Sequence, residues 1–136
     1  MKKYQYDNAQ EIVKQMREDR KMAAKYILNY DIYQTQVDKN IKDNEWLQAI
    51  DLTLRTYGER KRIFIMVRQE AEGKKTNGRG RHAWTAYVQR RYAEEINKRF
   101  INARCLFAER TLKEWWRQII NRIIEMHLRL KGSTLN

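Results

Sequence analysis

The stretch FAERTLKEWWRQIINRIIEMHLRL, from Phe107 to Leu130, decides the fold. Its apolar residues Leu112, Trp115, Trp116, Ile119, Ile120, Ile123, Ile124 and Leu128 recur at three- and four-residue intervals, which gathers them on one face of an α-helix. A face that apolar has to be buried against other elements. The opposite face carries Arg110, Lys113, Glu114, Arg117, Asn121 and Arg122. These side chains can hydrogen-bond phosphates and base edges, and a helix fits the major groove of duplex DNA. Two readings stand side by side: a recognition helix, or an amphipathic helix whose charged face is only solvated.

Working outward, the 136 residues suffice for one domain, or one with an extension, and can bury a core without disulfides. There is no proline and there are five glycines, so little interrupts long helices in a chain rich in good helix formers. An all-α fold follows. The single cysteine, Cys105, cannot close an internal disulfide, and no Cys/His cluster has zinc spacing, so neither a disulfide scaffold nor a zinc finger is expected. No apolar run approaches the ~18 residues of a membrane span, and Met1-Lys2-Lys3 leads into a polar segment rather than a signal-peptide core. The expectation is a cytoplasmic protein with no membrane partner and no cofactor.

The net charge of +12 is unevenly placed. Residues 1–53 hold nine basic and nine acidic side chains, leaving 20 basic against eight acidic for residues 54–136. A polyanion is the simplest partner for such a block, because each Lys or Arg that neutralises a phosphate releases counterions. Acidic proteins and acidic membranes would be drawn to the same charge.

The first helical segment is expected from about Asn8 to Tyr30, with Ile12, Val13, Met16, Ala23, Ala24, Ile27 and Leu28 as a broken apolar stripe and mixed charges outside it. Tyr30, Tyr33, Val37 and Ile41 continue the spacing after a kink at Asn29. Asp43 or Asn44 suits the N-cap of the next helix, which carries Trp46, Leu47, Ile50 and Leu54 and is expected to end on Gly58 in the left-handed conformation. The aromatics of this half belong to apolar stripes and are expected in the core.

Ile63-Phe64-Ile65-Met66-Val67 suits helix or strand by periodicity; helix is favoured, since no second strand-like run could pair with it. Residues 73–81, GKKTNGRGR, read as a basic flexible loop, able to reach a phosphate backbone or simply solvated. The loop lacks the Gly-Lys-Ser/Thr ending of a nucleotide-binding loop. From His82 the spacing of Trp84, Tyr87, Val88, Tyr92, Ile96, Phe100 and Ile101 is helical again, with Arg79, Arg81, Arg90, Arg91, Lys98, Arg99 and Arg104 around it. A first helix over Glu94 to Ala103, a turn over Arg104 to Ala108 and a second helix from Glu109 would make a helix-turn-helix.

Tyr92 to Leu130, above all Phe107-Ala108-Glu109-Arg110-Thr111, then Lys113-Glu114-Trp115-Trp116 and Ile119-Ile120, resembles the C-terminal helix-turn-helix of the RinA/ArpU group of phage and prophage transcriptional regulators, itself similar to sigma-factor region 4. Lys25 to Tyr33 resembles that group's Tyr-containing helical lead-in. Ala108 stands where the group carries a serine, and no glycine marks the turn. Thr111 with Glu114 could form a capping box instead and start the helix later. The resemblance implies sequence-specific binding of duplex DNA, control of phage genes and, for a transcriptional regulator, RNA polymerase as a partner.

The expected organisation is thus a helical N-terminal scaffold and assembly region over residues 1–72, the loop over 73–81, and a helix-turn-helix with a long recognition helix over 82–136. The neutral scaffold suits a homodimer, since DNA readers pair to match two half-sites. Arg79, Arg81, Arg90, Arg91, Lys98, Arg99, Arg110, Lys113, Glu114, Arg117 and Asn121 are the candidate nucleic-acid contacts. No enzyme is expected: His82 and His127 stand far apart in sequence, no Ser/His/Asp or Cys/His grouping appears, and Cys105 beside Leu106 and Phe107 suits a buried small side chain. The competing classes are a basic helical adaptor or inhibitor docking on an acidic protein, and an RNA-binding accessory protein.

Overall fold

The computed structural model describes residues 2–35, 41–73, 83–100 and 106–135, with side chains for 8–34, 45–73, 84–100 and 106–132. Every regular element among them is helical: α1 (Lys2–Leu28), α2 (Tyr30–Thr35), α3 (Ile41–Thr56), α4 (Glu59–Gly73), α5 (Ala83–Arg99) and α6 (Glu109–Leu135). Gly73, expected to open the loop over residues 73–81, instead closes α4; residues 74–82, with Arg79 and Arg81, lie outside the described residues, as do Arg104 and Cys105. None of these helices is long and apolar enough to cross a membrane.

The chain forms two compact units: Met1–Ile50 with Ile120–Asn136, and Asp51–Ile119. In the first, Ala23, Tyr26 and Ile27 of α1, Trp46, Ala49 and Ile50 of α3, and Ile120, Ile123 and His127 of α6 are buried. The Trp46 indole lies flat on the His127 imidazole, 3.7 Å between centroids and 5° between planes. Tyr26 stacks beyond Trp46 at 6.4 Å and meets Tyr33 at 4.7 Å. At Asn29, where a kink is expected, the helix is interrupted between α1 and α2, and the Asn29 side-chain amide shares Lys25 O with its own backbone N–H, at 2.9 and 3.2 Å.

Two stripe assignments need correction. Ile12, Val13 and Met16 remain 60, 47 and 47 % exposed, because the described core of this unit takes up α1 only from Ala23 onward. On α6 the exposed residue is Leu128, while His127 is buried; four residues on from Ile123, His127 continues the buried line, and Leu128 turns away from it.

In the second unit α4 and α5 lie antiparallel, since their contacts run in opposite sequence order. Glu59 meets Arg99, Phe64 meets Tyr92, and Glu70 reaches Arg91 and Tyr87. The run Ile63 to Val67 is helix, and Ile63, Phe64, Ile65 and Val67 are all buried, with Trp84, Val88, Tyr92 and Ile96 of α5 and Leu112 and Ile119 of α6 also in the core. A helix apolar on several sides has no single stripe for a periodicity argument to find.

Helix ends also differ from expectation. α3 is already helical at Ile41, ahead of Asp43 and Asn44. Gly58 is not in the left-handed region; its carbonyl accepts from Arg62 N at 3.1 Å, so it is the N-cap of α4. α3 closes instead on a bond from Tyr57 N to Leu54 O, and Arg62 Nε donates to the same carbonyl at 3.1 Å. Of the expected short helix Glu94 to Ala103, residues 94–99 are the end of the longer α5, with Phe100 N still bonded to Ile96 O, and residues 101–103 lie outside the described residues. α6 starts at Glu109 with Ala108 as N-cap, Leu112 N donating to its carbonyl at 3.2 Å, so the Thr111/Glu114 capping box does not form.

Candidate nucleic-acid interface

The first turns of α6 are held from both sides of the chain. Thr85 donates to Glu109 at 2.6 Å, Gln89 donates to Phe107 O at 2.8 Å, and Trp115 packs edge-on against Phe64 and Tyr92. With Leu112 and Ile119 fully buried on one side, the helix's rotation is fixed. Arg110, Lys113 and Arg117 are exposed on the other. Among the described residues no carboxylate pairs with Arg110 or Lys113.

Arg117 is paired: Glu114 accepts from its Nη2 at 2.6 Å and its Nε at 3.0 Å. That bond raises the guanidinium above its ordinary value and lowers the Glu114 carboxyl, yet both groups are well exposed. An exposed pair one turn apart is weak and screened by salt, so a phosphate can displace Glu114 at little cost. Glu114, itself one of the candidate contacts, thus holds Arg117 in the absence of another acceptor. Asn121, exposed and four residues on from Arg117, belongs to the first unit.

The basic residues of α5 separate into two kinds. Arg90 and Lys98 are exposed, Arg90 lying 6.0 Å from the Tyr87 ring. Arg91 is a strut: Glu94 and Glu95 accept from it at 2.8 and 3.0 Å, Glu70 stands at 3.4 Å, and its side chain is 23 % exposed. Its hydrogen bonds to Glu94 and Glu95 raise its pKa further above the ordinary value. Arg99 bridges Glu95 at 3.5 Å and Glu59 at 3.8 Å. The charge of Arg91 is therefore largely used inside the unit, while Arg99, exposed and held only by longer ion pairs, stays accessible to a phosphate.

Three basic residues passed over by periodicity also matter here. Arg68 is buried with its guanidinium 4.4 Å from the Trp84 ring and 4.9 Å from the Trp116 ring, and donates to Glu72 at 3.1 Å. Arg60 and Lys61 are exposed at the start of α4, over the rings of Phe100 and Tyr57. The basic run Arg60-Lys61-Arg62 was visible as charge, but its neighbours across the fold were not. Comparison with protein-family models, with curated proteins and with solved structures finds no match for this chain.

Proposed function

We propose that the chain binds duplex DNA, with the first turns of α6 entering the major groove in the manner of helix-turn-helix regulators such as the RinA/ArpU group. The observation that carries this reading is the exposed row Arg110, Lys113 and Arg117, at three- and four-residue spacing, on a helix whose rotation is set by buried Leu112 and Ile119. The excess of basic residues after Thr53 supports it through the counterions that phosphate contacts release. Arg110 and Lys113, near the helix start, serve phosphate; Arg117 serves base edges.

Fluorescence anisotropy with a labelled duplex tests the reading. Affinity is expected to fall ~10²-fold or more between about 50 and 200 mM salt, and Arg110→Ala or Lys113→Ala to reduce the salt slope by about one each. Arg117→Ala is expected to cost roughly 1–3 kcal/mol against a preferred site and much less against random sequence. Binding that ignores salt, or equal binding by Arg110→Ala and Lys113→Ala, overturns the reading and favours a protein partner.

A further inference from the structure

Within the second unit, α4, α5 and the entry to α6 enclose an open cavity of about 610 Å³. Its walls include the rings of Phe64, Tyr92, Phe100, Phe107 and Trp115. Phe107 and Trp115 stand 4.7 Å apart at 58°, and Trp115 meets Phe64 and Tyr92 edge-on at 5.5 and 5.8 Å. The rings therefore brace one another in place. A cavity in this size range, mostly apolar and with a few convergent polar groups, is the usual form of a small-molecule site.

The start of α4 supplies the polar groups lining the cavity. Arg60 and Lys61 line it, both exposed, and Arg60 lies 4.6 Å over the Phe100 ring, so one cation sits where the aromatic wall meets water. Glu59 lines it too, with its exposed carboxylate 3.8 Å from Arg99, which offsets part of its charge. Aromatic rings and two exposed basic residues in one lining complement a molecule of one definite kind. We propose that this cavity binds a small planar aromatic molecule bearing an anionic group, a carboxylate or a phosphate, with its ring among Phe64, Phe107 and Trp115 and its anion on Arg60 and Lys61. The ring would gain edge-to-face contacts, and the anion charge-assisted hydrogen bonds.

The test uses the full chain without nucleic acid, so its outcome is separate from that of the DNA reading. The ¹⁵N-labelled protein is titrated with 2-naphthoate, with adenosine 5′-monophosphate, with neutral 2-naphthol and with inorganic phosphate. The indole N–H signal of Trp115, assigned through Trp115→Phe, is the readout. Saturable movement of that signal by 2-naphthoate, by the nucleotide or by both is expected, and which of them binds separates a carboxylate ligand from a phosphate ligand. Arg60→Gln combined with Lys61→Gln, both exposed and so compatible with folding, is expected to weaken the anions at least about tenfold, the scale of one charge-assisted hydrogen bond, and to leave 2-naphthol unchanged. The proposal is overturned if neither aromatic anion saturates the signal by about 1 mM. It is equally overturned if phosphate alone reproduces the effect, or if the double variant binds as the parent does.

Discussion

Arg68 shows how a single residue can be charged and still belong to the core. Burial pushes its pKa down and the hydrogen bond to Glu72 pushes it back up, while the two indoles take the place of water around the guanidinium. Its Nε meets no acceptor among the described residues, which suits a cation held by ring faces. Arg68→Ala is expected to destabilise the protein by about 3 kcal/mol, from the lost stacking and the lost packing of the stem, whereas Arg68→Met keeps the stem and should cost about 1 kcal/mol. Urea denaturation of the two variants checks the order, and equal losses would mean that the charge, not the packing, dominates. Glu95 titrates in a way that can be followed. The hydrogen bond from Arg91 lowers its carboxyl below the ordinary 4.5, against the opposing effect of burial. A lowered folded value means that its contribution to stability is complete above the ordinary carboxylate range and is lost as pH falls through the folded value. The stability gap between the parent and Glu95→Gln should therefore narrow from about pH 6 to about pH 3; a gap independent of pH would show that Glu95 acts through packing alone.

At the scale of the element, the helix ends are where sequence and structure part. Glycine after a helix commonly marks a left-handed C-cap, but Gly58 serves the helix that follows it, and a Cβ built there meets nothing within 4 Å. Gly58→Ser is thus expected to raise stability by about 0.5 kcal/mol, through a better cap and a less flexible unfolded chain. A left-handed Gly58 would instead lose roughly 1–2 kcal/mol on this substitution, so thermal unfolding decides the sign. Ala108 is a poor N-cap for α6, with no side-chain acceptor for the first-turn N–H groups. Ala108→Ser should stabilise the protein by ~1 kcal/mol, and no gain would place the start of α6 elsewhere.

At the scale of the whole molecule, the two compact units are not consecutive in sequence, since residues 120–136 group with residues 1–50. Trp46, fully buried, owes its stacking partner to His127, which follows it by most of the chain's length. A fragment of residues 1–58 lacks Ile120, Ile123 and His127 and is expected to stay largely unfolded, with poorly dispersed NMR signals. Adding a peptide of residues 109–136 should restore dispersion in the Trp46 region. A fragment that folds by itself would show that α1 and α3 need no cover from α6.

The sequence by itself determined that the described elements are helices, because propensity and three-four spacing are local properties that neighbouring residues carry together. It also located the interruption at Asn29, the start of α6 at Glu109, and the exposed side of α6 with Arg110, Lys113 and Arg117. Which part of a stripe is covered depends on where other helices end, so the exposure of Ile12, Val13 and Met16 and the burial of His127 in place of Leu128 were decided only by the tertiary structure. The pairing of charges is of the same kind. Arg90 and Arg91 are adjacent and chemically alike, yet Arg91 alone is gathered in by Glu70, Glu94 and Glu95, since Glu70 reaches it from α4 across the antiparallel packing. The aromatic cavity likewise draws on residues from Gly58 to Trp115, and bringing rings that distant together is a consequence of packing that no local pattern encodes.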